Sequence, residues 1–238
     1  MTMLPQPPPD APAPPPSEAA ILSQKKWKWL WGVGAFSIIA IALAVLKTPL
    51  VFRKRTICDQ TEDISNARLI GLALFEFETE YGKLPDATTI AAVRNKTGTT
   101  LRLGTASSND FFRQLLASGT AQSEAMFYAK GEGARKPDNV FIGGKALEKS
   151  ECGFTYFLGS SIKDNPARPL VVTSMIPGTD RFDPKPFKGK VVMLKLDNSV
   201  TTLPINKDGH VMIAGINLMD PANLIWDGHP PVIAWPDL

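Results

Sequence analysis

Residues 29–46, WLWGVGAFSIIAIALAVL, run for eighteen positions without a charge, between Lys28 and Lys47. As a helix this stretch is roughly 27 Å long, close to the thickness of bilayer hydrocarbon. Trp29, Leu30, Trp31, Ile38, Ile39, Ile41, Leu43 and Leu46 are its bulky apolar positions, and Trp27, Trp29 and Trp31 cluster at one end as interfacial aromatics do. The pattern predicts one transmembrane helix, with the lipid bilayer as a partner. A cleaved signal peptide fits less well, because no small-residue cleavage site follows the apolar run.

Beyond Pro49 the pattern changes. Ala67, Ile70, Leu74, Phe77 and Tyr81 recur at steps of three and four, the packing face of an amphipathic helix over 59–82, with Leu72 and Phe75 widening it. Glu76, Glu78 and Glu80 read as a solvated side of that helix. Gly82 and Pro85 end it. Asp86 predicts the N-cap of a short helix, ATTIAAVRN. Asn109 or Asp110 predicts the start of another, FFRQLLAS, closed by Gly119. SEAMFYAKG reads as a further turn or helix, and residues 131–150 as a surface loop rich in turn formers.

From Cys152 onward the signal is strand-like. GFTYFLG and LVVTSM are candidate strands. KVVMLKL, Asp197-Asn198-Ser199 and VTTLPIN form a hairpin, and Lys207-Asp208-Gly209 turns into HVMIAG, predicting a three-stranded antiparallel meander with alternating faces. The proline-broken tail, 217–238, reads as an extended segment against the core. The fold class is therefore α+β: a transmembrane helix, then an amphipathic helix packed on a small antiparallel sheet. The divisions are a proline-rich tail (1–24), a membrane segment with basic flanks (25–55) and a folded domain (56–238).

Composition sharpens this at the N-terminus. Eight of the first seventeen residues are proline, which holds the tail in polyproline II rather than helix or sheet. PxxP spacings at Pro5–Pro8 and Pro12–Pro15 suit an aromatic-lined groove, or merely follow from proline density. The formal charge of +3 is uneven: residues 1–55 carry +5 and the rest −2. The basic excess flanks the apolar run, where it contacts headgroups, so it does not indicate nucleic acid. Cys58 and Cys152 lack metal-site spacing. They are either one disulfide, in an oxidising compartment, or two separate thiols.

No catalytic set emerges, and no small-molecule substrate is evident. Ser160, Ser161 and Ser174 lack a nucleophile-elbow context, and Gly143-Gly144-Lys145 lacks the rest of a phosphate loop. His210 and His229 each follow an Asp-Gly turn signal. As ligands they would need Asp208, Asp220 and Asp227 beside them. The expectation is a protein that is not an enzyme.

The run NARLIGLALFEFETEYGKLPDA resembles the helix and following turn of type IV pilins and type II secretion pseudopilins, carried by Ala67, Leu72 to Tyr81 and Gly82-Lys83-Leu84-Pro85. The hairpin VVMLKLDNSVTTLPINKDGHV is similar to the end of a pilin-like family common in Planctomycetes and Verrucomicrobia. The resemblance implies a structural or interaction protein of the bacterial envelope, single-pass in the inner membrane. Its C-terminal domain would be exported, and it would self-associate or join an envelope complex. Three basic residues precede the membrane segment and four follow it, so flanking charge does not set this orientation. The resemblance also implies calcium as an optional cofactor in a C-terminal acidic loop, with Asp220, Asn223 and Asp227 as ligands. No prepilin peptidase site precedes the apolar run, so the stem is expected to stay a fixed tether. Two alternatives remain: an accessory subunit that recruits a cytoplasmic partner through the proline-rich tail, and a membrane-tethered hydrolase or sugar-binding module.

The membrane expectation has a direct check. The full chain should stay with membranes through an alkaline carbonate wash, and a chain lacking residues 29–46 should be released. Release of both would remove the tether.

Overall fold

The computed structural model describes residues 60–238. The proline-rich tail, the Trp29–Leu46 segment and Cys58 lie outside the described residues. Among the described residues no helix is long and apolar enough to cross a membrane.

The first helix, α1, occupies residues 60–81. Its predicted stripe is buried at Ala67, Ile70, Leu74 and Phe77, and Tyr81 stacks on Phe77 with ring centroids 4.4 Å apart. Gly82 ends it in the left-handed region, its N–H donating to the Glu78 carbonyl at 2.8 Å. Two expectations about α1 are corrected. Leu72 does not widen the buried stripe: it is 57% exposed, and Leu69 is 45% exposed. Nor are the three glutamates one solvated side, because Glu78 is buried. It accepts hydrogen bonds from Ser161 Oγ (3.1 Å) and Ile162 N (3.2 Å).

Helix α2 is Ile90–Thr97 and α3 is Ser108–Ser118, each closed by a left-handed glycine, Gly98 and Gly119. Asp86 caps the turn that leads into α2, accepting from the amides of Thr88 and Thr89, rather than the helix itself. The N-cap of α3 is Ser107, two residues earlier than the earliest predicted cap; its hydroxyl accepts from Asp110 N. A 3-10 turn follows at Glu124–Phe127.

The strands are β1 Phe154–Leu158, β2 Pro169–Thr173, β3 Lys190–Lys195, β4 Val200–Pro204, β5 Met212–Ile213, β6 Ile216–Asn217 and β7 Val232–Ala234. The main sheet has the order β4-β3-β2-β1-β7, with every pair antiparallel. The predicted β3–β4 hairpin forms, with Lys190 opposite Pro204 and Leu194 opposite Val200. Its turn residue Asn198 takes positive φ.

The third strand of the predicted meander does not join this sheet. After a single bridge between Ile205 and Val211 the chain reverses at Ala214-Gly215, both with positive φ, and β5 pairs with β6 in a two-stranded ribbon. The edge position beside β1 goes instead to β7, from the tail expected to be merely extended. Pro231 and Pro236 bracket β7, and proline is tolerated at a sheet edge.

Both faces of the sheet are covered, so the expected polar outer face is absent from the central strands. On one face Phe154, Tyr156, Val171, Val192 and Leu194 join the stripe of α1 and the Phe111, Phe112 and Leu115 side of α3. On the other, Phe157, Val172, Val191 and Met193 pack beneath Phe182, Val211, Leu218 and Trp226. Strand β3 is therefore buried from Val191 to Leu194. Tyr156 ties the layers together: its hydroxyl donates to the Pro85 carbonyl at 3.1 Å, at the turn beyond α1.

Gly153, at the entry to β1, has no room for a side chain. A Cβ there would sit 2.3 Å from the carbonyl oxygen of Ala129. Gly153→Ala should cost about 1–3 kcal/mol of unfolding free energy in denaturant titration. Gly131→Ala, where a Cβ meets nothing within 4 Å, should stay within about 0.5 kcal/mol. Equal stabilities would refute this close approach.

Candidate functional site

Residues 128–153 contain no helix or strand, yet the segment reaches the core at Ala129, Ala146, Leu147 and Cys152. A buried backbone must have its polar groups answered. Four polar side chains on α3, all buried, help to meet that need or anchor neighbouring segments. Asn109 Nδ2 donates to the carbonyls of Leu147 (3.2 Å) and Glu148 (3.1 Å). Arg113 donates to Ala146 (2.6 Å) and Leu147 (2.8 Å), and pairs with Asp110. Ser108 donates to the Phe154 carbonyl (2.7 Å), and Gln114 to that of Asp86 (2.9 Å). From the other side, Asn66 of α1 donates to Ala125 O (3.2 Å) and Tyr128 O (2.9 Å).

Within this frame three carboxylates converge. One oxygen from each of Glu124, Asp138 and Glu151 lies within 4.8 Å of the others. Glu124 and Glu151 are fully buried and Asp138 is exposed. Each buried carboxylate uses one oxygen on the loop backbone: Leu147 N donates to Glu124 Oε1 (2.5 Å), and Glu148 N to Glu151 Oε2 (2.6 Å). Asn139 Oδ1 accepts from Glu124 N at 2.9 Å and fixes the start of the 3-10 turn. The second oxygen of Glu124 has no hydrogen-bond partner. Glu151 Oε1 has Arg135 Nη1 at 2.8 Å, an ion pair whose direction does not make a hydrogen bond. Burial raises the pKa of Glu124, and the Glu151 and Asp138 charges add to that, against the lowering effect of the Leu147 and Asn139 bonds.

No residue pattern along the chain points to this cluster. Its members lie in a turn-rich stretch, at spacings that match no metal motif. The ligands expected there, Asp220, Asn223 and Asp227, have other partners. Asp220 accepts from Ala222 N, and Asn223 caps the 3-10 turn Leu224–Trp226. Asp227 receives Arg168 Nη2 at 2.9 Å, and that guanidinium also lies over Trp226. His210 is not brought to Asp208 or Asp220. Its Nδ1 is 3.3 Å from Asn217 Nδ2 and 3.8 Å from Asp180 Oδ2.

Two cavities stand out besides the cluster. An apolar one of about 480 Å³ lies against Ser174, Met175, Ile176, Pro186 and Leu238. The Ser174 hydroxyl has no partner, but no histidine lines this space, and Lys185 at its mouth is paired with Glu132 (3.1 Å). A polar one of about 730 Å³ lies between Arg102, Asp110, Arg113 and Trp235, where Asp110 and Arg113 neutralise each other. On α1, the exposed Leu69 and Leu72 form a ridge beside a groove of about 390 Å³. Ala73, Gly119, Ala125 and Met126 line that groove. Leu69 and Leu72 stand three residues apart, off the Ala67–Phe77 stripe, a spacing that the sequence itself displays.

No family model matches the chain, and neither the curated proteins nor the solved structures contain a match.

Cys152 is a free, fully buried thiol in the described residues; Cys58, its expected partner, lies outside them. Cys152 lies 3.6 Å from Ser108 Oγ, in the coil before β1. Burial pushes its pKa up to about 11, partly offset by the Ser108 contact. At pH 8 the thiolate is then about one part in a thousand. With Cys58 changed to serine, the folded chain should show no thiol reaction with an aromatic disulfide reagent at pH 8, and one thiol after denaturation. Rapid labelling of the native chain would contradict this burial.

Proposed function

We propose that this chain is a membrane-anchored structural or interaction protein of pilin-like build, without catalysis. Residues 29–46 tether it to the inner membrane, and α1 joins its exported domain to a second copy. The observation that carries this reading is the pair of large aliphatic side chains that α1 leaves in solvent. Leu69 and Leu72 sit one helical turn apart, beside the groove floored by Ala73 and Met126. A ridge beside a groove is self-complementary. A two-fold axis along α1 lets each ridge enter the partner's groove. That symmetry also brings the N-terminal ends of both α1 helices to the same end of the pair.

The order of elements supports the reading as well. A long helix follows the apolar segment, and an antiparallel sheet comes last, as in the pilin-like proteins that the NARLIGLALFEFETEYGKLPDA run resembles. The absence of a prepilin peptidase site in the sequence favours a fixed pairing over a cleaved filament.

The test uses the full chain in its membrane. Amine cross-linking should trap a dimer of the wild type. Leu69→Asp with Leu72→Asp should reduce that band at least tenfold while leaving thermal unfolding of the domain unchanged, since both side chains are exposed. A wild type that stays monomeric at every expression level would overturn the proposal, as would a dimer indifferent to both aspartates.

A further inference from the structure

The acidic cluster carries an inference independent of the pairing surface. We propose that Glu124, Asp138 and Glu151 form a binding site for a hard divalent cation of the Ca²⁺ class, which clasps the 128–153 segment to the domain.

The separation fits. Ca²⁺ binds oxygen at about 2.3–2.6 Å, so two of its ligands can be at most about 5.2 Å apart. The three carboxylate oxygens lie within 4.8 Å of one another.

The buried oxygens point to a ligand independently of that spacing. Glu124 is fully buried, and its Oε2 has no hydrogen-bond donor. A buried carboxylate oxygen without a partner is costly. Its sister oxygen is already held by Leu147 N, so the side chain is fixed in place and cannot turn to find a donor elsewhere. Glu151 is held in the same way by one oxygen, Oε2 on Glu148 N, while its Oε1 is ion-paired with Arg135 Nη1 at 2.8 Å. Glu124 thus brings one oxygen committed to the protein and one without a donor, and a cation would share Glu151 with Arg135.

Charge points the same way. Glu124, Asp138 and Glu151 bring three carboxylates together, and Arg135 divides its guanidinium between Glu148 (2.9 Å) and Glu151 (2.8 Å). A divalent ion adds positive charge where three carboxylates converge. The all-oxygen donor set favours Ca²⁺ or Mg²⁺ over zinc or copper, which prefer nitrogen and sulfur. The irregular loop frame suits the adaptable shell of Ca²⁺ better than the strict octahedron of Mg²⁺. Asp138, exposed at the rim, gives the ion a way in, and water completes the shell on that side.

The consequence is mechanical. Glu124 begins the 3-10 turn, Asp138 lies midway along the segment, and Glu151 stands next to Cys152 at the entry to β1. One ion ties three points that no helix or strand connects.

The experiment uses the purified full chain in detergent, stripped with EDTA and titrated with CaCl₂ or MgCl₂ by calorimetry. Ca²⁺ should bind with one-to-one stoichiometry, at least tenfold tighter than Mg²⁺, and should raise the unfolding temperature. Glu124→Gln also loosens the Leu147 bond and so tests folding as much as binding. Asp138→Asn is the cleaner variant, since Asp138 is exposed and accepts from the nearby Val140 N. It should weaken Ca²⁺ at least tenfold while leaving the unfolding temperature in EDTA unchanged. No saturable heat from Ca²⁺, binding that prefers Mg²⁺, or binding unaltered by Asp138→Asn would each overturn the site.

Discussion

The stretch between Phe127 and Phe154 has no helix or strand and enters the core at Ala129, Ala146, Leu147 and Cys152, where side chains answer its backbone. Asn109 and Arg113 of α3 take the carbonyls of Ala146, Leu147 and Glu148, while Asn66 of α1 takes those of Ala125 and Tyr128. A buried carbonyl left without a donor costs on the order of 1–3 kcal/mol. These clamps therefore decide where the stretch can lie. They also explain an odd feature of α3, whose apolar side holds Phe111, Phe112 and Leu115 while Ser108, Asn109, Arg113 and Gln114 are buried as well. The helix has almost no solvent side. It is an internal strut, and the acidic cluster exists because the strut holds Leu147 and Glu148 where their amides meet Glu124 and Glu151.

The sheet obeys a related constraint. Its central strands have apolar residues on both faces, so each face needs a cover. The helices supply one, and the segments that carry Phe182 and Val211 to Trp226 supply the other. That second cover is held by few regular hydrogen bonds, and it relies on anchors such as Trp226, whose Nε1 donates to Leu218 O at 2.6 Å. Arg168 supports the same corner through Asp164, Asp227 and the Ile225 carbonyl. Asp227 is thus part of the structural frame of this cover.

The parts of the fold that were legible in the sequence rest on local periodicity. The Ala67–Phe77 stripe and the β3–β4 hairpin each lie within a short run whose own spacing states which side faces inward. What was illegible depends on partners far along the chain. Asp237 N donates to Asn109 Oδ1 across most of the domain, and Glu78 is buried because the Ser161–Ile162 turn folds over it. Nothing near Glu78 marks it apart from the solvated Glu76 and Glu80. Strand β7 is hidden in the same way: three residues between prolines carry no strand signal alone, and only the open edge of β1 gives them a partner. The acidic cluster is the extreme case, since its three carboxylates come from separate turns and meet only after the loop is clamped.

Helix α1 shows how closely these demands are combined. One side, Ala67 to Phe77, is core. A second is polar yet buried, where Asn66 clamps the 3-10 turn region and Glu78 accepts the Ser161 turn. At Gly71 the helix comes so near the β3–β4 turn that a Cβ would lie 2.1 Å from Asn198 Oδ1. Only the remaining side is free to carry side chains that the domain itself does not use. In a helix so constrained, polar residues on that side would satisfy folding at no cost in stability. The presence of Leu69 and Leu72 there is not required by anything inside the domain. This is why their exposure is better explained by a surface outside it, and why the proposed pairing places α1 at its centre.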